Sequence, residues 1–237
     1  MEHDVVGPDY EGLLRAGRST IARTGTAERA AEYLRDRIID GALPPGTRMA
    51  EDAISKGLGI SRNTLREAFR LLSHQRLLEH ELNRGVFVRS LPREEVGDLY
   101  TLRRLLETAA IDGLGPDPDL TDVEAPLLAA ERAAEAGDWA AVGSGDLAFH
   151  LALVALSGST RAVEVMRGVL AELRLVFSVI TEPRRLHEAY LPRNRVILEF
   201  IRSGAIPEAQ AELSAYLEDA QRQLLAAYDF DVESGGR

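Results

Sequence analysis

The sequence predicts a mainly α protein, an N-terminal winged helix-turn-helix followed by a C-terminal all-α helical bundle. Three observations carry this. Between residues 51 and 75 two helical segments flank a glycine-containing turn, the arrangement of a helix-turn-helix. Directly after it, two β-patterned runs surround Leu82-Asn83-Arg84-Gly85, the pattern of a hairpin. Beyond Pro92 strand patterning ceases, and apolar residues recur at helical spacing toward the C-terminus.

The 237 residues suffice for one large domain or two modest ones, at roughly 100–200 residues per domain. A formal charge of −10 argues against a nucleic-acid partner if taken alone, but it is unevenly spread. Residues 26–91 hold 11 Lys+Arg against 9 Asp+Glu, whereas residues 92–237 hold 14 against 25. Two domains with different partners is the simplest explanation. The absence of cysteine excludes disulfides, thiolate metal sites and a cysteine nucleophile. No stretch approaches the ~20 apolar residues of a membrane span. The acidic start Met1-Glu2-His3-Asp4 is followed by no apolar run, so the expectation is a cytoplasmic protein with no membrane association.

Residues 1–25 lack a sustained period and are expected to form a flexible arm, with a short helix around Tyr10–Ala16. The winged helix-turn-helix is expected over 26–91. From Thr26, a plausible N-cap, Ala30, Tyr33, Leu34, Arg37 and Ile38 fall on one helical stripe that Gly41 ends. Leu43-Pro44-Pro45-Gly46 must turn. Helices then follow at about Glu51–Gly57 and Arg62–Gln75, with Ser61 an apt N-cap for the second. Strands at Leu77–Glu81 and Val86–Arg89 form the wing, with Gly85 at its tip. An effector-binding and dimerisation domain is expected over 92–230, with helices near 93–113, 121–136, 138–157, 160–181, 184–203 and 207–229. A disordered tail is expected at 231–237.

On the second helix of the motif, Arg62, Arg66 and Arg70 stack at i, i+4 spacing with Asn63 beside them. Leu65, Ala68, Phe69 and Leu72 take the opposite face. One packed side and one basic side suit the major groove, where Arg pairs bidentately with guanine and Asn with adenine. Ser61 and Thr64 can add hydroxyl contacts, and Arg84 and Gly85 can approach the backbone from the wing. Stacked arginines alone would equally suit a solvated helix face; the turn, the cap and the hairpin around them favour DNA.

These residues resemble the GntR family of bacterial regulators. The likeness lies in Ile38-Ile39-Asp40-Gly41-Ala42-Leu43-Pro44-Pro45-Gly46, in Leu58-Gly59-Ile60-Ser61-Arg62-Asn63-Thr64-Leu65-Arg66-Glu67-Ala68, and in Arg84-Gly85-Val86-Phe87-Val88. The resemblance implies DNA contacts at Arg62, Thr64 and Arg66. Asn63-Thr64-Leu65 stands where many members have Thr-Pro-Val, and Arg76 where glycine is usual. Asp52 occupies a position that is arginine in the fatty-acid-responsive relative. Such departures bear on which operator is read.

In the second half, Asp146-Leu147-Ala148-Phe149-His150-Leu151-Ala152-Leu153-Val154-Ala155-Leu156 is apolar almost all round and should be buried, with Asp146 and His150 sharing a face at i, i+4. Such a pair is either satisfied inside a bundle or bound to something. This stretch and Leu99–Glu107 resemble the FCD-type ligand-binding domain of the FadR subfamily, over most of 94–228. Many such domains hold a divalent metal with one Asp and three His. Asp146 and His150 match two of these positions, but the other two fall at Asn194 and Tyr216. Two imidazoles are thus absent, so no tightly held transition metal and no other cofactor is expected, with Asp146, His150 and Asn194 the residues left to support a divalent ion. The expected effector pocket comprises Arg103, Asp146, His150, Asn194 and Tyr216. Arg103 would meet a small carboxylate bidentately, or instead pair with Glu107, its i+4 neighbour.

The expected function is a ligand-responsive repressor that binds a near-palindromic double-stranded DNA operator as a homodimer. A metal sensor using the depleted site is one alternative. An enzyme using Asp146 and His150 is another, and it would leave the N-terminal motif without a role.

Overall fold

The computed structural model describes residues 25–115, 117–177 and 182–235, with side chains to residue 226. The expected arm and its short helix at Tyr10–Ala16 lie outside the described residues. Contacts divide the chain into two units, separating after Ser90.

The first unit holds α1 (Thr26–Ile39), α2 (Glu51–Leu58), α3 (Arg62–His74), β1 (Leu78–Glu81) and β2 (Gly85–Val88). Thr26 is not the cap expected of it: Gly25 holds that position, and no side chain caps α1. Leu34, Ile38, Leu65, Phe69 and Leu72 are buried, and α3 packs on α1, α2 and β1. Gly59, at the end of α2, has φ 67 and makes the left-handed turn that a Cβ would strain. Ser61 caps α3, its Oγ accepting from the Thr64 amide at 3.1 Å.

The wing is an antiparallel pair in which Leu78 faces Val88 and Glu81 faces Gly85. Gly85 is therefore not the tip but the first residue of β2, where its φ of +116 suits glycine. The tip is Leu82-Asn83-Arg84, with Asn83 at φ 62 and Leu82 89% exposed. The segment after the Pro-Pro-Gly turn adds a third edge: Arg48 bridges Phe87, the Met49 amide donates to Val86 O at 2.8 Å, and the Val88 amide to Thr47 O at 2.9 Å.

The second unit comprises α4 (Arg93–Asp112), α5 (Thr121–Glu135), α6 (Trp139–Ala155), α7 (Thr160–Phe177), α8 (Pro183–His187), α9 (Leu191–Arg202) and α10 (Ile206–Gly235). Helix α6 is central and packs against α4, α5, α7 and α8, while α10 packs on α4 and α9. The single helix expected at 184–203 is two: Pro192 lacks an N–H to continue a helix, and lies instead in the first turn of α9. The last helix runs to Gly235 rather than giving way to a disordered tail at 231, since no proline interrupts it before the glycines. Two glycines inside α6 allow close neighbours. A Cβ on Gly145 would lie 2.7 Å from Ala130 Cβ and 3.0 Å from Pro126 O of α5, and one on Gly143 would lie 2.6 Å from His187 Nε2.

Candidate functional site

Helix α3 presents Ser61, Arg62, Asn63, Arg66 and Arg70 to solvent, with Thr64 half-buried. Its other side is closed by Leu65, Ala68, Phe69 and Leu72. The side chains of Ser61 and Thr64 are engaged with each other, their hydroxyls 2.8 Å apart. Each arginine of the face meets a carboxylate: Arg62 Nη2 lies 3.0 Å from Asp52, Arg66 Nε 2.9 Å from Glu51 and Arg70 Nη1 3.2 Å from Glu67. Arg84 pairs with Glu81 at the wing and stacks over Phe87. These exposed pairs contribute on the order of 0–1 kcal/mol, so phosphate or guanine can replace the carboxylates at small cost. Arg48, not singled out from the sequence, lies beside this face. It is exposed, with its Nε 3.6 Å from where a Gly85 Cβ would stand, and lines a groove with Glu51, Asp52 and Gly85. The Pro-Pro-Gly turn concealed the edge strand that carries it.

In the second unit Arg103, Asp146, His150, Asn194 and Tyr216 come together, contributed by α4, α6, α9 and α10, and all are buried. Asp146 Oδ1 is the hub. It accepts from Asn194 Nδ2 at 2.7 Å and from Tyr216 Oη at 2.9 Å, and His150 Nε2 stands 3.7 Å away. His150 Nδ1 meets Glu107 Oε2 at 2.6 Å, and Arg103 Nε donates to Glu107 Oε1 at 2.9 Å. The Arg103–Glu107 ion pair is thus formed, and it does not exhaust the arginine. Among the described residues, Arg103 Nη2, His150 Nε2 and Asn194 Oδ1 are buried with no hydrogen-bond partner. Leaving such an atom unpaired costs about 1–3 kcal/mol.

Electrostatics are consistent with this bonding. Burial opposes ionisation of Glu107, but His150 and Arg103 outweigh it and hold the carboxyl below its usual range. Asp146 is likewise held low: burial opposes ionisation, while His150, His187, Arg103 and the Asn194 hydrogen bond favour it. Burial, followed by the Asp146 charge, pushes the Tyr216 hydroxyl well up, so it remains a donor. Burial holds His187 below the usual imidazole range. Glu107 and His187 were not picked out as site residues from sequence. For Glu107 the signal lies in the i+4 relation to Arg103; His187 carries no such spacing signal, and its ring meets the α6 backbone at Gly143.

Comparison with known proteins bears on both units. The family described as "Bacterial regulatory proteins, gntR family" matches residues 26–88, and the FCD domain matches residues 98–219. The chain belongs to the GntR family of bacterial regulatory proteins. It is similar to the crystal structure of a putative transcriptional regulator GntR from Rhodococcus sp. RHA1, with 45% identity and a TM-score of 0.82 over 86% of this chain and 100% of that one. It is 33% identical over 95 residues to the gluconate operon transcriptional repressor of Bacillus licheniformis, covering 40% of this chain and 39% of that protein. It is 24% identical over 186 residues to the probable D-xylose utilization operon transcriptional repressor of Paenarthrobacter nicotinovorans, covering 78% and 82%. The match to the Bacillus repressors and to the Bacillus subtilis regulator YdhC spans only 38–48% of their length. Among the described residues no helix is long and apolar enough to cross a membrane.

The metal that many FCD domains hold does not fit these residues. Asn194 and Tyr216 present N–H and O–H donors to Asp146 Oδ1, where a cation would need lone pairs. Among the described residues, no group of three or more His, Cys, Asp and Glu could hold a metal ion.

Proposed function

We propose that this GntR regulator is a ligand-responsive repressor of the cytoplasm, not an enzyme. It binds a near-palindromic operator as a homodimer and responds to a small carboxylate effector. The observation that carries the DNA half is the two-sided α3: a Ser61-capped start, an exposed Arg62, Asn63, Arg66 and Arg70 face, and a buried Leu65, Phe69 and Leu72 face. Ser61, Arg62, Asn63, Thr64, Arg66 and Arg70 read and position the major groove, and Arg84 and Gly85 bring the wing to the backbone. Two half-sites about one helical turn apart require two reading heads, hence the dimer. The effector half rests on the buried Arg103, Asp146, His150, Asn194 and Tyr216 cluster and its unpaired atoms.

The test is enrichment of binding duplexes from a random-sequence library by the full-length protein, followed by anisotropy titration. The expected product is an inverted repeat whose affinity falls steeply with salt, because Lys and Arg contacts release counterions. Arg66→Ala should weaken it by about 5–150-fold, corresponding to ~1–3 kcal/mol for a lost base contact. No enriched sequence, or equal affinity for Arg66→Ala, would overturn the reading.

A further inference from the structure

Resting on the reading of the second unit as an effector domain, we propose that its centre works without a metal. In this account the donors of Asn194 and Tyr216 do for Asp146 what a cation does elsewhere in the family. A buried carboxylate needs either a cation or a full set of hydrogen bonds. Here Asn194 Nδ2 at 2.7 Å and Tyr216 Oη at 2.9 Å converge on one oxygen of Asp146. A cation at that oxygen would have to expel both donors and would find one imidazole in their place, His150 Nε2 at 3.7 Å. Restoring imidazole at the two substituted positions should therefore restore metal binding.

The same bonding fixes what the centre offers a ligand. A carboxylate oxygen only accepts, so the Asn194 amide nitrogen faces Asp146 and its Oδ1 is left as an acceptor. Glu107 takes up Arg103 Nε and His150 Nδ1 on its two oxygens, and His150 Nε2 stands 3.7 Å from Asp146 Oδ1. Among the described residues, Arg103 Nη2 is a buried cationic donor with no hydrogen-bond partner. A cationic donor and an amide carbonyl acceptor in one buried cluster call for a carboxylate carrying a hydrogen-bond donor on the adjacent carbon. A hydroxyl and an ammonium both supply that donor. Its absence would leave the buried Asn194 carbonyl unpaired and weaken binding about tenfold or more.

Two measurements on full-length, tag-free protein decide it. The first is metal content by mass spectrometry after exposure to Zn(II), Ni(II) or Mn(II) and desalting. Wild type should retain less than about a tenth of an ion per chain, and Asn194→His/Tyr216→His should retain about one Zn(II) or Ni(II). About one ion on wild type that disappears in His150→Ala would overturn the proposal. The second measurement keeps it testable if the double variant fails to fold. Titrations of EDTA-treated wild type, followed by thermal shift, use lactate, alanine, pyruvate and propionate, then malate, aspartate, oxaloacetate and succinate. At least one hydroxy or amino acid should bind about tenfold or more tighter than its keto and unsubstituted counterparts. A hydroxy-acid response and an amino-acid response distinguish the two donor sources. Binding that requires added metal overturns the metal-free centre, and equal binding of the keto acid, or no binding in the series, overturns the ligand class. Operator titration of the same preparation separates these failures from failure of the regulator reading, since DNA binding retained in either case leaves that reading intact.

Discussion

Glu107 holds the buried centre together, and Glu107→Gln tests this. Its two oxygens accept from Arg103 Nε at 2.9 Å and His150 Nδ1 at 2.6 Å, with side-chain exposures of 0% for Glu107 and His150 and 1% for Arg103. Glutamine keeps the volume, so no cavity opens. It removes the anion, however, and turns an NH2 group toward one of the two donors. Breaking a buried pair from one side costs about 3–5 kcal/mol, because the remaining charge stays in low dielectric. At roughly 2–4 °C per kcal/mol for a domain of this size, the midpoint should fall by about 6–20 °C. Trp139, in the first turn of α6, is the sole tryptophan, so its fluorescence follows the second unit alone. The control is Glu218→Ala, which removes the half-exposed pair with Arg104 at 4.0 Å and should cost about 1 kcal/mol or less. A Glu107→Gln midpoint within about 2 °C of wild type would refute the reasoning, because the buried guanidinium would then not depend on its anion.

Three further outcomes follow from the structure. Arg76 sits at φ 57 where glycine is usual in the family, so Arg76→Gly should stabilise the first unit by about 1 kcal/mol in urea unfolding followed by circular dichroism; a destabilisation would contradict the strain argument. Ser61→Ala removes the cap on α3 and should cost about 0.5–2 kcal/mol, measured the same way, with Ser61→Gly costing less. On acidification the second unit should lose stability in two stages, measured as the Trp139 midpoint against pH. His187, held below its ordinary 6.5, contributes stability present above that value and lost as pH falls through its folded-state value. Glu107 and Asp146, held below 4.5 and 3.8, contribute stability that is lost further down. A midpoint that rose between pH 7 and 5 would contradict these directions.

Much of the fold is legible in the sequence because local signals agree with the final packing. Ser61 before an i, i+4 arginine series, glycine at 59, and an Asn-Arg-Gly run before Val86-Phe87-Val88 each select one local structure. Where the local signal was ambiguous, tertiary placement decided. The Pro-Pro-Gly turn gives no hint that Thr47–Met49 will pair with β2, since an edge needs a partner to be recognised. The break between α8 and α9 is carried by Pro192 alone, in a stretch otherwise helical in period. At the centre, spacing on α6 placed Asp146 and His150 on one face. Spacing could not show that α4 would deliver Glu107 to the far nitrogen of the same imidazole, because helices distant in sequence make that contact. Nor could it show that Asn194 and Tyr216 would both reach one oxygen of Asp146.

In the proposed regulator a DNA-reading unit and a sensing unit share one chain, and a repressor that responds to a ligand requires coupling between them. The most direct measurement is the operator dissociation constant of the full-length protein, by fluorescence anisotropy, without effector and with the tightest-binding carboxylate at saturation. The expected change is about 5–150-fold, the range of a coupling of ~1–3 kcal/mol. An unchanged constant while the carboxylate is demonstrably bound would contradict it.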